Sequence, residues 1–366
     1  MSDQLELDLT RLIIDEVEVA SRRLTDRLLR HRKKLLNGRR NRLNSFEQRL
    51  YDRWYEGLDF YELALYLAQE CGDLFNRRFS SIATKKQDHK FFSLIRLHGN
   101  ASLIGGEILQ LLKGGYSSGA HARWRSLHET AVIARFIAEE AAETAERFRL
   151  HQVVKAYEDG LEQRKYASKL GSEAPTAEEW TKIENAYKAV INRYGEDFAG
   201  VYGWAKPALQ RRNPTRKGSV KFGEIEKTVG VDFWIPYFRM ASHAVHPSAT
   251  SIVFNIGMSM KTPHPVIIAG PTNAGLADPG HGALLSLANA TAALVPIGLE
   301  LSADEMGEYG PTKDNDNNVG LPTNQANLEL LALIRTLLEI TERAGDAFIS
   351  IHRQLEAEEA AKHQHT

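Results

Sequence analysis

Two histidines three residues apart, His243 and His246, stand beside Arg239 and Ser242 in the run from Tyr237 to Pro247. Read as a helix from Asp232 at about 100° per residue, Phe233, Trp234, Tyr237, Phe238, Met240, Ala241, Ala244 and Val245 fall on one side. Arg239, Ser242, His243 and His246 gather on the other. Imidazoles exchange protons near neutral pH and a guanidinium binds anions, so this stripe could do acid–base chemistry on a phosphate or carboxylate. A second helix, capped by Ser117 or Ser118, divides in the same way. Taking Arg125 as reference, His121, His128, Glu129 and Arg135 lie within roughly 80° of it, opposite Ala120, Trp124, Leu127, Ala131 and Ala134. Arg125 and Glu129 are i,i+4 neighbours; a direct pair would fix the guanidinium for an anionic ligand. Four histidines and little lysine on two faces suggest that the faces meet across a polar cleft. The same pattern also fits two solvated faces of ordinary amphipathic helices.

The elements that would hold these residues are almost all helical. Leu5 to Leu36 places Leu9, Ile13, Val17, Leu24, Leu28 and Leu35 on one stripe, with Gly38 as a stop and a basic stripe of Arg23, Arg27, Arg30 and Lys34 alongside. Further helices are expected from Ser45 to Cys71, from Gln87 to Lys113 and from Ser118 to Glu140. Another extends to Leu170, and a capping box at Thr176 and Glu179 opens one that ends at Tyr194. Residues 200–218 read as a loop. Short apolar runs at 251–256 and 265–269 suggest a small β-hairpin, and 281–303 a buried helix. Residues 306–323 read as a linker before a final amphipathic helix from 324. The expected architecture is mainly α, a helical bundle with one small β-hairpin near 251–269. Its parts are an N-terminal region 1–84, a core 85–305, the linker, and a C-terminal helix 324–366.

Bulk properties exclude little. The chain has 366 residues, 25% charged and 43% hydrophobic, as in ordinary folded proteins, and a net charge of −1 that gives no global attraction to nucleic acid or membrane. Locally, Arg22 to Arg53 carries twelve Lys and Arg against three acids, enough for phosphate-backbone contact or for an acidic partner segment. Arg211 to Lys217 is a second basic segment. Cys71 is the only cysteine, which precludes an internal disulfide and fits a reducing cytoplasm; it reads as a small buried hydrophobe. The charged N-terminus does not read as a signal peptide. The uncharged span Gly282 to Leu299 holds Ser286, Asn289, Thr291 and Pro296, so no membrane crossing is expected. Neither a Walker glycine loop nor a Gly-x-Ser-x-Gly elbow is present.

The run Arg125-Ser-Leu-His-Glu129, the Tyr202-Gly-Trp204 segment and the series Tyr237, Ser242, His246-Pro-Ser248 together resemble the bacterial domain-of-unknown-function 5677 family over roughly residues 85 to 305. The resemblance implies a predominantly helical fold and points to Arg125, Glu129, Ser242 and His246 as functional positions. His128 departs from it, standing where an apolar residue is usual. A looser resemblance is to HEPN ribonucleases, whose Arg-x4–6-His motif Arg123 to His128 fits as a string. That would imply metal-independent RNA cleavage, usually at a homodimer interface. On one helix, however, positions five apart diverge by about 140°. A metal is a third reading, because His243 and His246 share a face and Glu129 could join them. The chain nevertheless lacks both Glu-x-x-His and His-Glu-x-x-His.

Together with these resemblances, the sequence leads to the expectation of a cytoplasmic bacterial protein acting as a metal-independent RNase-like effector in phage defence or a toxin system. In that reading His246 is the general acid or base and Arg125 binds the phosphate, while Glu129 and Ser242 orient them. His121, His128 and His243 stand nearby, and Arg123, Arg135 and Arg239 serve as binding residues. The competing class is a non-enzymatic sensor or scaffold whose cleft binds an anion or a protein partner. Neither reading needs a cofactor. RNA is the possible ligand, and the terminal helices favour a homo-oligomer or a protein partner.

Overall fold

The computed structural model describes residues 2–246, 257–259, 266–309 and 325–364. The chain divides into two compact units, Met1–Arg53 and Trp54–Thr366. Helix α1 runs without a break over Ser2–Lys86, so Gly38 is not the expected stop. Glycine inside a helix costs only about 1 kcal/mol, which the good helix formers on either side outweigh. Within the first unit Ile14, Val17, Leu24, Leu28 and Leu35 are all exposed.

The second unit is built around α2 (His89–Lys113) and α3 (Ser117–Glu139), a helical hairpin turned at Gly114–Tyr116. Asp88 caps α2 by accepting from the Phe91 amide at 2.8 Å. Neither Ser117 nor Ser118 caps α3: the cap position is Tyr116, with no side-chain bond. From Trp54 onward α1 buries Trp54, Leu58, Tyr61, Leu65, Ala68, Cys71, Phe75 and Phe79, spacings of three and four that make one apolar stripe. Phe75 stacks on Phe91 at 5.2 Å, and the Tyr61 hydroxyl donates to the Gly105 carbonyl at 3.0 Å.

The charged excursion after α3 comprises α4 (Ala142–Leu150), α5 (Gln152–Leu170) and α6 (Ala177–Tyr194). The capping box of Thr176 and Glu179 forms as expected. The segment expected as a loop over 200–218 instead holds a tight turn, Gly203–Ala205, and α7 (Lys206–Arg212). The turn is fixed from below by the buried Arg147, whose Nε donates to the Trp204 carbonyl and whose guanidinium lies over Tyr194 at 4.4 Å. The Trp204 indole packs edge-on against Phe148 and Phe136.

Beyond α8 (Phe222–Thr228) comes a single 3-10 turn at Asp232–Trp234, then α9 (Ile235–Ser242). α9 ends at Ser242, so His243 and His246 lie on the turn beyond it and not on the helix expected to reach Pro247. Strands β1 (Gly257–Ser259) and β2 (Val266–Ile268) pair antiparallel over three residues; the rest of the proposed hairpin, 251–256 and 260–265, lies outside the described residues. Among the described residues no other strand joins them, and the fold class is mainly α.

The expected helix over 281–303 is two helices, α10 (Ala277–Ala292) and α11 (Leu294–Tyr309). Pro296 has no N–H for the Ala292 carbonyl, which breaks the ladder at Ala293. The proposed linker lies almost wholly outside the described residues, and α12 (Gln325–Gln364) packs on α10. Ala277–Ala303 is long and apolar enough to cross a membrane by length and composition, but 67% of its most apolar window is buried inside the fold.

A Cβ on Gly203 would stand 2.2 Å from the Asp197 carbonyl oxygen and 2.6 Å from that of Phe198, both main-chain atoms with no room to yield. Gly203→Ala is therefore expected to destabilise the fold by about 3 kcal/mol or more, the upper end of overpacking costs. Urea unfolding of both proteins checks this; an unchanged midpoint would contradict the geometry.

Candidate functional site

α3 places Arg125 and Glu129 one turn apart, and they pair as expected, Nη2 to Oε1 at 3.2 Å. The pair is half-buried, with side-chain exposures of 27% and 32%. α9 crosses here and lays the Phe238 ring under the Arg125 guanidinium, 4.9 Å from its carbon. One turn along, His128 Nε2 meets Glu226 Oε1 of α8 at 2.9 Å, and both side chains are buried. Phe222 and Phe238 close around the imidazole at 6.3 and 5.7 Å. Two carboxylates, one guanidinium and one imidazole thus share a compartment roofed by aromatic rings.

Desolvation dominates the electrostatics. Burial lifts the Glu129 carboxyl above the usual carboxylate range; Arg125 and then His128 pull it back, and Glu226 adds to the rise. The Tyr202 phenol is pushed up to about 12, first by burial and then by Glu129, against Arg125. Tyr202 therefore belongs to the same field, held there by the Gly203 turn. Arg125 Nε is buried without a hydrogen-bond partner among the described residues.

The remaining predicted residues are more scattered. His121 is buried near Trp124, 6.4 Å between rings, and burial lowers its pKa against the pull of Asp278. Ser242 donates to the Phe238 carbonyl of its own helix at 2.9 Å. His243 is half-buried, while His246 and Arg239 are exposed. Arg135 pairs with Glu139 at 2.9 Å, and Arg123 with Glu107 of α2 at 2.5 Å. Arg123 and His128 thus take partners on different sides of α3, as the 140° divergence requires. What α9 and the turn before it lay on α3 is the aromatic side: Trp234 on Trp124 at 6.1 Å, and Phe238 on His128 and Arg125.

Glu226 was not foreseen. It lies in the run Phe222-Gly-Glu-Ile-Glu226, where nothing in its neighbours marks it as the buried one of two glutamates. A faint signal existed: Ile225 and Glu226 are adjacent on a seven-residue helix too short to keep both on one exposed face. Cys71 is buried as expected, and its thiol is pushed up to about 12, chiefly by burial. Among the described residues no group of three or more His, Cys, Asp or Glu is placed to hold a metal.

Fold and site together define a mainly α-helical protein with a half-buried Arg–Glu pair beside a buried His–Glu pair. Residues 91–262 match the model of the family described as Family of unknown function (DUF5677), which shows the resemblance over a narrower span than 85–305. That match is to this family and not to the HEPN ribonucleases. No curated protein and no solved structure matches the chain.

The folded chain holds the Glu129 proton to a higher pH than the unfolded chain does. This group's contribution to stability is therefore complete below the ordinary glutamate range and falls as pH rises through the raised folded value. Because Arg125 opposes the shift, Arg125→Met should move the Glu129 titration higher still. Carboxyl-carbon NMR reads it; a midpoint that stays or falls would show that the two groups do not interact.

Proposed function

We propose that the Arg125 centre recognises an oxyanion, a phosphate group above all, and that the protein is a helical binding module or sensor built on it. The observation that carries this is the state of the guanidinium. Glu129 fixes one edge, Phe238 supports one face, and the buried Nε has no acceptor among the described residues. A buried donor left unmade costs about 1–3 kcal/mol, which a ligand oxygen recovers. Arginine fixed at one edge presents its other donors as a planar fork, the geometry that phosphate and carboxylate match.

A second reading, metal-independent RNA cleavage in a phage-defence or toxin setting within the cytoplasm, is favoured by one observation. Glu129 is a carboxyl with a raised pKa beside the anion-binding arginine. Glu129 or His246 would take the proton from a ribose 2′-hydroxyl, whose oxygen attacks the adjacent phosphorus as the 5′-oxygen leaves and is protonated. Arg125 would neutralise the charge that develops.

Calorimetric titration with inorganic phosphate and with a 5′-mononucleotide separates these readings from a purely structural site. Arg125→Ala should weaken binding at least tenfold, about 1.4 kcal/mol, and Arg125→Lys should recover only part of it; equal affinity in all three proteins rules the site out. RNA incubated with the protein in EDTA tests the second reading, which fails if nothing is cleaved or if Glu129→Gln and His246→Ala cleave as fast as the parent.

The same proposal includes self-association through the first unit. Ile14, Ser21, Leu28 and Leu35 fall at one heptad position and Val17, Leu24 and His31 at the other, an exposed seam of the coiled-coil kind. Sedimentation should give a dimer that Leu24→Asp with Leu28→Asp converts to monomer; a monomeric parent protein overturns it.

A further inference from the structure

A cavity of about 290 Å³ opens beside the N-terminal half of α3 and is lined by Trp124, Trp234, Tyr237, Asp278, His121 and His281, with Ala277, Gly282 and Ile349. We infer that it is an aromatic cage for a small methylated ammonium cation. Trp124 and Trp234 meet at 69° and Trp234 and Tyr237 at 60°, with centroids 6.1 and 5.4 Å apart, so the rings form corner walls and not a stack. Aromatic faces are electron-rich, and such corners hold cations over two or three rings at once.

The charge of the lining has one sign. Asp278 is its only formally charged side chain, and no Lys or Arg contributes to it. Burial lowers both His121 and His281, against Asp278 for the first and against Asp346 and Asp278 for the second, so burial disfavours a positive charge on either imidazole. Asp278 lies in the first turn of α10, where it also offsets the positive end of the helix dipole that would repel a cation. This cavity selects for charge opposite to that taken by Arg125.

Methylation follows from the shortage of acceptors. An unmethylated primary ammonium brings three N–H donors that need oxygens. The indole N–H of Trp124 is itself a donor and already bonds Ser286 Oγ at 3.1 Å, which leaves its ring as wall only. A methylated cation asks for apolar contact plus one counter-charge, and Ile349, Ala277 and Asp278 supply these. Two glycines make the cage possible. A Cβ on Gly282 would touch the Trp124 indole at 3.0 Å, and one on Gly345 would reach His281 Nε2 at 2.5 Å.

Calorimetry and tryptophan quenching with choline, tetramethylammonium and the uncharged choline isostere 3,3-dimethylbutan-1-ol test the inference. Choline and tetramethylammonium should bind saturably, with the alcohol at least tenfold weaker. Asp278→Asn and Trp234→Ala should each weaken choline tenfold or more, while thermal melts confirm that both variants fold; if Trp234→Ala does not fold, Trp234→Leu takes its place. A trimethyl-lysine peptide titrated alongside distinguishes the source: stronger choline binding assigns a free cation, stronger peptide binding a modified side chain. The idea is overturned if choline gives no saturable signal, if the alcohol binds equally well, or if Asp278→Asn binds choline as tightly as the parent. The phosphate titration reads the Arg125 centre and not this cavity, so either result can fail without the other.

Discussion

Everything around the site follows from the fact that α3 is packed on several sides while carrying charged residues. α2, α10, α8 and α9 all lie against it, so Arg125, His128 and Glu129 cannot all reach bulk water. A buried ion without a partner costs several kcal/mol, more than a domain of marginal stability tolerates. The helices that cover α3 are therefore required to bring partners with them. α8 brings Glu226 to His128, and α9 brings the Phe238 face to Arg125.

The aromatic frame is the second half of the same solution. Rings seal the polar compartment without competing for its hydrogen bonds, and the loss of water, which penalises the charged forms, is the main cause that lifts Glu129 and Tyr202. Tyr202 reaches that field only because Gly203 lets the chain pass within contact of the Asp197 and Phe198 carbonyls. The buried Arg147 holds the same turn through the Trp204 carbonyl. The Tyr202-Gly-Trp204 segment is thus a structural corner whose product is the placement of one phenol.

α3 presents two environments on different sides of the same stretch. Near its start Trp124 and His121 face α10 and the turn before α9, in a cavity where the only formal charge is negative. The next residue, turned about 100° round the helix, is Arg125, whose positive guanidinium faces Phe238. The small residues of α10 govern this arrangement, because Gly280 and Gly282 let Phe348 and Trp124 lie against the helix backbone itself. A Cβ there would crowd the Phe348 and Trp124 rings at 2.8 and 3.0 Å.

Local rules carried much of this into the sequence. The i,i+4 spacing of Arg125 and Glu129 required that they be able to pair, the Thr176 box formed where its residues stood, and apolar periodicity marked α1 to α3. Local reading failed where competition between distant parts decided: Gly38 was overridden by the continuity of α1, and residues 200–218 were drawn into a turn by Arg147. It also could not tell which face of a helix would be covered. His121 and His128 share a polar stripe in sequence, yet both are buried, because α10 and α8 bring partners across that stripe. Spacing along one helix fixes which side chains can be neighbours; only the packing of other helices decides which of them lose water, and loss of water is what turns Glu129 from an ordinary surface acid into a group with altered chemistry.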